Sequence, residues 1–256
     1  MSEAIDARPG LVAMGAGGHP VIASAWTFAP APVPGTHFVA PDARVDIVVR
    51  IDASARADAF VFGPDMKPTR PRFDARTRYL GLRLRVPEGA SLFGPRATEL
   101  LGGAFLLATW ATREPDEVLE CVHGLLDALV ARDRSPAPRW LADVVRFAEA
   151  HPTMSVDALA RATGIATRSL SRMFARWIGP SPKQLLRLFR ARAATRALAS
   201  GDLPAEVSAH LEYADQAHLT REIQALFDAT PGAIRRDPRL AELFNPGVPS
   251  SPRTSA

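Results

Sequence analysis

The sequence predicts an α+β chain in two parts. Residues 1–134 read as a mixed strand and helix domain, and residues 139–240 as an all-α domain with one helix-turn-helix unit on each side of a long helix. Three observations support this. Short β-branched and aromatic runs fill the first half. A polar, Pro-rich linker, Arg134-Ser135-Pro136-Ala137-Pro138, interrupts any helix, with 135–138 as the boundary. Beyond it a pattern recurs at an offset of 49: Leu170 with Leu219, Arg172 with Arg221, and Ser181-Pro182 with Thr230-Pro231.

In chain order, residues 1–20 lack periodicity and read as loosely ordered. Val45–Ile51, Ala59–Phe62 and Tyr79–Val86 are expected strands, each bounded by Pro, Gly, Asp or Ala turns. From Glu99 onward the pattern reads as helical, and Val118, Val122, Leu125 and Leu129 form a narrow apolar stripe. That stripe suits packing against the first domain, or a dimer helix; packing is the favoured reading. The apolar run Leu100–Ala111 lies between Glu99 and Arg113 and is too short to span a bilayer. The Pro- and Ser-rich stretch 245–256 reads as a disordered tail.

Composition bounds the function. The formal charge is +4 and the pI about 9.9, which suit a polyanionic partner without requiring one. Lys67 and Lys183 are the only lysines. The single Cys121 excludes a disulfide framework and any zinc site built on several thiolates. Glu3 and Asp6 stand where a secretory leader would be basic, so a cytoplasmic, membrane-free protein is expected.

The repeated unit carries the chemistry. Trp140–Ala150 is a helix; Ser155 caps the next, with Asp157 in its first turn. Gly164 supplies a left-handed corner, and a third helix starts at Thr167 or its neighbour. On that helix Leu170, Met173, Phe174 and Trp177 make one apolar face, while Arg168, Ser171, Arg172 and Arg176 stand opposite. Arg beside small polar residues is what reading a major groove requires, because a guanidinium can bond guanine O6 and N7 together. The stretch Thr167–Arg196 holds eight basic residues and no acid, which points to a polyanionic partner, double-stranded DNA. Ser181 caps and Pro182 opens a helix to about Ala199, long enough to hold two readers on one face of a duplex. In the second copy, Gln216, Ala217, Thr220 and Arg221 form the corresponding surface. There Ser208 and Glu212 replace Ala160 and Gly164, so weaker binding is expected.

The run LARATGIATRSLSRMFARWIGPSPKQLLRLFRARAATRALA, with YADQAHLTRE and ATPGAIRR after it, closely resembles the AraC/XylS family of bacterial transcription regulators over 139–240. The resemblance implies two helix-turn-helix units joined by a long helix, in adjacent major grooves beside a promoter. By position it implies base contacts from Arg168, Ser171 and Arg172, then Gln216, Ala217, Thr220 and Arg221. The chain departs from the family at Glu212 (usually Gly), Leu219 (usually aromatic) and Ser208 (usually Ala). PDARVDIVV, VFGP, GLRLRVPEGASLFG and PRATEL resemble, over shorter stretches, the effector-type domain of some such regulators. A regulatory domain is thereby implied, with three partners to consider: a small-molecule effector, a second copy of the chain and, for an activator, RNA polymerase.

Two other readings compete. An enzyme in the N-terminal half would need a site, yet the six histidines are scattered without metal-ligand spacing, and Gly15–Gly18 lacks the Lys of a phosphate loop. No enzyme activity, cofactor or metal is expected. A helical module using its Arg face on an acidic protein would differ from a DNA reader in salt dependence.

Overall fold

The computed structural model describes residues 10–14, 19–29, 35–36, 39–54, 56–70, 72–73, 77–93, 97–112, 114–132, 136–238 and 240–241. The expectations for 245–256, for Arg134 and Ser135, and for Gly15–Gly18 lie outside them. The chain is α+β: an antiparallel sheet with one long helix, followed by a helical half.

The strands are β1 (Gly10–Met14), β2 (Ile22–Ala29), β3 (Gly35–Thr36), β4 (Asp46–Ile51), β5 (Ala57–Phe62), β6 (Arg72–Phe73), β7 (Arg78–Leu84) and β8 (Ala104–Trp110). Six of them form one sheet in the order β1-β2-β7-β4-β5-β8, while β3 pairs with β6. Alternation explains the core: Ile47, Val49 and Ile51 of β4, with Leu80, Leu82 and Leu84 of β7, are buried. Trp26 lies opposite Gly81, where a Cβ would sit 1.9 Å from the indole, so only glycine admits the ring.

Two expectations are corrected here. The run after Glu99 is not helical: a 3-10 turn (Ala97–Leu100) is followed by β8, because Gly102 at φ 61 turns the chain back and β8 pairs antiparallel with β5. Residues 10–14, read as loosely ordered, form β1 along β2. Helix α1 (Glu88–Ser91) is a single turn, and α2 is Pro115–Arg132. Val118 and Val122 are fully buried against the sheet, but Leu126 joins them in place of Leu125, which is only half-buried, as is Leu129. The helical period of 3.6 carries the buried face from Val122 to Leu126. Val118, Val122 and Leu126 are thus the packing face of α2, and Leu125 and Leu129 lie outside that core.

The helical half comprises α3 (Arg139–Ala150), α4 (Val156–Thr163), α5 (Thr167–Trp177), α6 (Pro182–Ala199), α7 (Pro204–His210), α8 (Gln216–Phe227) and α9 (Pro231–Arg236). Ser181 closes a capping box with Gln184 at the start of α6. Helix α6 is walled on both sides. Leu185, Leu186 and Phe189 belong to the core of α3, α4 and α5, and Leu188, Ala191, Ala194 and Leu198 to that of α7, α8 and α9.

Asp58 ties three strands together, accepting hydrogen bonds from Arg50 Nη2 (2.8 Å), Arg56 Nε (2.9 Å) and Thr109 Oγ1 (2.8 Å). Burial alone would push this carboxyl up, but the donors hold it down at about 2. A folded-state value below the ordinary 3.8 contributes stability that is present above the ordinary value and is lost as pH falls towards 2. Acid titration of unfolding is expected to show a stability loss between about pH 4 and 2. Asp58→Asn should lower stability at pH 7 and flatten that limb.

Candidate nucleic-acid interface

The first unit is a tight corner. Ser155 Oγ accepts from Ala158 N–H at the start of α4. Gly164 closes the helix at φ 68, donating to Arg161 O (3.3 Å), while Ile165 N–H reaches Ala160 O (3.0 Å). Thr167 then opens α5, and its hydroxyl bonds Asp157 Oδ1 (3.1 Å) across the corner. Leu170 and Phe174 are fully buried, so the opposite face is fixed outward. Arg168, Ser171, Arg172 and Arg176 are all exposed on it, with Ala175 between them. Ser171 Oγ bonds back to Thr167 O (2.9 Å), and the Arg176 guanidinium lies 5.0 Å from the centre of the Trp177 ring.

The second unit repeats the corner with harder residues. Glu212 takes φ 55 and donates to Ala209 O (3.3 Å), while Tyr213 N–H reaches Ser208 O (2.9 Å). The bonding pattern matches that of the first unit, but a Glu stands where the first has Gly. From Ala160 to Ser208 and from Gly164 to Glu212 the offset is 48; from Leu170 to Leu219 it is 49. The second turn therefore holds one extra residue before Asp215 caps α8 by accepting from His218 N–H (2.5 Å). His218 has a capping role as well: its Nδ1 accepts from Ala214 N–H (3.5 Å), and its ring stands edge-on to Tyr213.

Gln216, Ala217 and Arg221 are exposed, and half-buried Thr220 bonds back to Gln216 O (2.9 Å). Gln224, one turn beyond Arg221, is exposed on the same stripe, a position the sequence reading missed although its spacing from Ala217 is i+7. The exposed faces of the two units differ in charge. The first unit carries exposed Arg161, whereas the second carries exposed Glu212 and Asp215.

The acid-free run is only partly a surface. Glu222 of α8 is buried and accepts from Arg187 Nε (2.8 Å), Arg190 Nη2 (3.2 Å) and Tyr213 Oη (3.0 Å). Burial and the adjacent Glu222 push the Tyr213 hydroxyl above its ordinary range, so it stays protonated and donates. Arg192 is buried and donates to Pro41 O (3.0 Å). Three of the eight basic residues thus serve internal contacts, their partners lying far away in sequence. Arg168, Arg172, Arg176, Lys183 and Arg196 are exposed, and so is Arg187 despite its bond to Glu222.

No group of His, Cys, Asp and Glu among the described residues could hold a metal ion, and no described helix is long and apolar enough to cross a membrane.

Residues 159–237 match a family described as a helix-turn-helix domain. Residues 159–237, which hold α5 to α9, are therefore a helix-turn-helix domain. Among solved structures, the chain is similar to the C-terminal domain of AraT, a response regulator from Geobacillus stearothermophilus. That similarity is 22% identity over 40% of this chain and 88% of the other, at a TM-score of 0.36. It is also similar to apo ToxT from Vibrio cholerae (9% identity, 87% and 97% covered, TM-score 0.43) and to unsaturated fatty acid-bound ToxT (8%, 84% and 96%, 0.41). No curated protein matches the chain.

Removing the Glu222 carboxylate leaves Tyr213 Oη without its acceptor and Arg187 and Arg190 without their shared anion. Glu222→Ala is expected to lower stability by about 1–3 kcal/mol in urea unfolding. An unchanged midpoint would show that the cluster contributes nothing net.

Proposed function

We propose that residues 139–240 read duplex DNA sequence-specifically at a promoter by placing α5 and α8 in adjacent major grooves. The observation that supports this most directly is the pair of outward-facing helices that begin at like corners and are held on one shared rod. At about 1.5 Å per residue the 18-residue α6 is roughly 27 Å long, commensurate with the roughly 34 Å between successive major grooves. Arg168, Ser171, Arg172 and Arg176 in the first unit, with Gln216, Ala217, Thr220 and Arg221 in the second, are the proposed contacts. The N-terminal domain acts as a regulatory module, through a small-molecule effector or a second copy of the chain, and RNA polymerase is a partner if the protein activates. The protein works in the cytoplasm without enzymatic activity.

Arg172→Ala is expected to cost about 1–3 kcal/mol of binding and to relax preference at one base position. Gel-shift titration against specific and random duplexes checks this: equal loss on both would make Arg172 a phosphate contact, and no loss would remove it from the interface. Because exposed Glu212 and Asp215 add negative charge to the second unit, Arg221→Ala should cost less than Arg172→Ala.

Glu212→Gly removes both a left-handed Glu and a negative charge. It should raise stability by about 1 kcal/mol and tighten DNA binding. Weaker binding by a folded Glu212→Gly protein would refute the assignment of Glu212 as an obstacle.

A further inference from the structure

Residues 39–45 reach from the sheet into the junction between the two helix-turn-helix units. Ala40 is buried in the core of α7, α8 and α9, and Ala43, three residues on, is buried in the core of α3, α4 and α5. Between them Pro41 O accepts from Arg192 Nη2 (3.0 Å), and the buried Asp42 carboxylate attracts the same guanidinium. On the sheet side, Arg83 of β7 places Nη2 2.9 Å from both Asp42 Oδ2 and Asp46 Oδ2. A buried file of charges therefore runs from the sheet through Asp42 to the middle of α6. Flanking contacts follow the same division: Met66 packs on the second core and Val86 on the first. Arg70 Nη2 meets Asp228 Oδ2 (2.7 Å) at the end of α8.

This cluster is a poor device for stability alone. Arg192 Nε has no hydrogen-bond partner, and Asp42 Oδ2 faces Arg83 without making a directed hydrogen bond. Burial pushes Arg192 down to about 10, still charged at neutral pH. A leucine would fill the volume without that cost, whereas a buried charge file holds one geometry against its alternatives. The segment also acts from behind, since Arg172 of α5 and Arg221 of α8 are exposed while it is in place.

We infer that segment 39–45, acting through Asp42 and Arg192, is a positioning element that fixes the angle between the two reading helices. The inference rests on the proposed DNA reading. Its leverage is geometric. A tilt of about 10° over a rod of roughly 27 Å displaces one end by about 5 Å, more than a base-pair step of about 3.4 Å. Loosening the segment therefore loosens the spacing the protein accepts between half-sites, while each helix keeps its own base preferences.

The test uses the full chain with Asp42→Asn, and with Arg192→Met as a second variant that removes the charge while keeping the volume apolar. A duplex is first selected by the wild-type chain from a random-sequence pool; a second duplex carries one extra base pair between its half-sites. In fluorescence anisotropy the wild type should prefer the first by about ten-fold or more, and the variants by less than about three-fold. Circular dichroism confirms that each variant is folded. A folded variant with undiminished spacing preference overturns the positioning role and leaves DNA reading standing. Failure of the wild type to select any duplex overturns the DNA reading itself, and the positioning role with it. Loss of folded structure in both variants also overturns the inference, because the cluster would then determine folding rather than position.

Discussion

Helix α6 is a wall of both helical cores at once, and the arrangement of the helical half follows from that constraint. A rod with Leu185 and Phe189 in one core and Leu188 and Leu198 in the other cannot turn without opening both. Close packing makes such a shared wall rigid, since the displaced side chains would leave voids in two places at once. The second unit adds a directional lock: Glu222 of α8 meets Arg187 and Arg190 of α6, which sets the rotation of α8 as well as its distance. The outward direction of Ala217, Thr220 and Arg221 is thus decided on the far side of the same helix.

The arginines divide into two populations. Arg190 and Arg192 are drawn inward by Glu222 and by the Pro41 and Asp42 segment, and Arg187 bonds Glu222 from the surface, while Arg168, Arg172 and Arg176 stay on the wet face of α5. Guanidinium suits both tasks because its planar fork can hold a buried carboxylate or meet a base edge or phosphate. The surface charge is consequently smaller than the linear run suggests. It is also concentrated on the first unit.

Most of the helical half was legible in the sequence, because its signals are local. Ser155, Ser181 and Gly164 each fix a helix end within a few residues, and Leu170 and Phe174 identify the inward face of α5. The sheet was less legible. Strands β4, β5 and β7 show themselves by alternation, but β1 and β8 are edge strands defined by their pairing with β2 and β5, which no local pattern reports. Glu99 onward read as helical because an apolar run carries no period that separates strand from helix. At the candidate interface, outward positions followed from spacing, apart from half-buried Thr220, and the same spacing marks Gln224, which the reading missed. The internal contacts of Arg187, Arg190 and Arg192 did not follow from spacing, since Glu222 and Pro41 lie far from them in the chain.

The second unit keeps the backbone of the first with residues poorly suited to it. Among the described residues only Glu212 and Asp228 take positive φ without being glycine, where the first unit has Gly164 and Gly179. Such conformations persist when neighbours over-determine them. At Glu212 the neighbour is Tyr213, buried, hydrogen-bonded through its hydroxyl to Glu222 and lying 4.4 Å from the Arg190 guanidinium. At Asp228 the side chain bonds Arg70 of the first domain and Gln224 of α8. Each strained residue is therefore adjacent to, or part of, a polar contact that joins the second unit to something outside it: α6 in one case and the N-terminal domain in the other. The corner of the second unit takes its shape from its surroundings, whereas the first is shaped by its own glycines. The geometry of the second unit's exposed face therefore depends on how α6 and the N-terminal domain sit against it, and the first unit is the fixed reference.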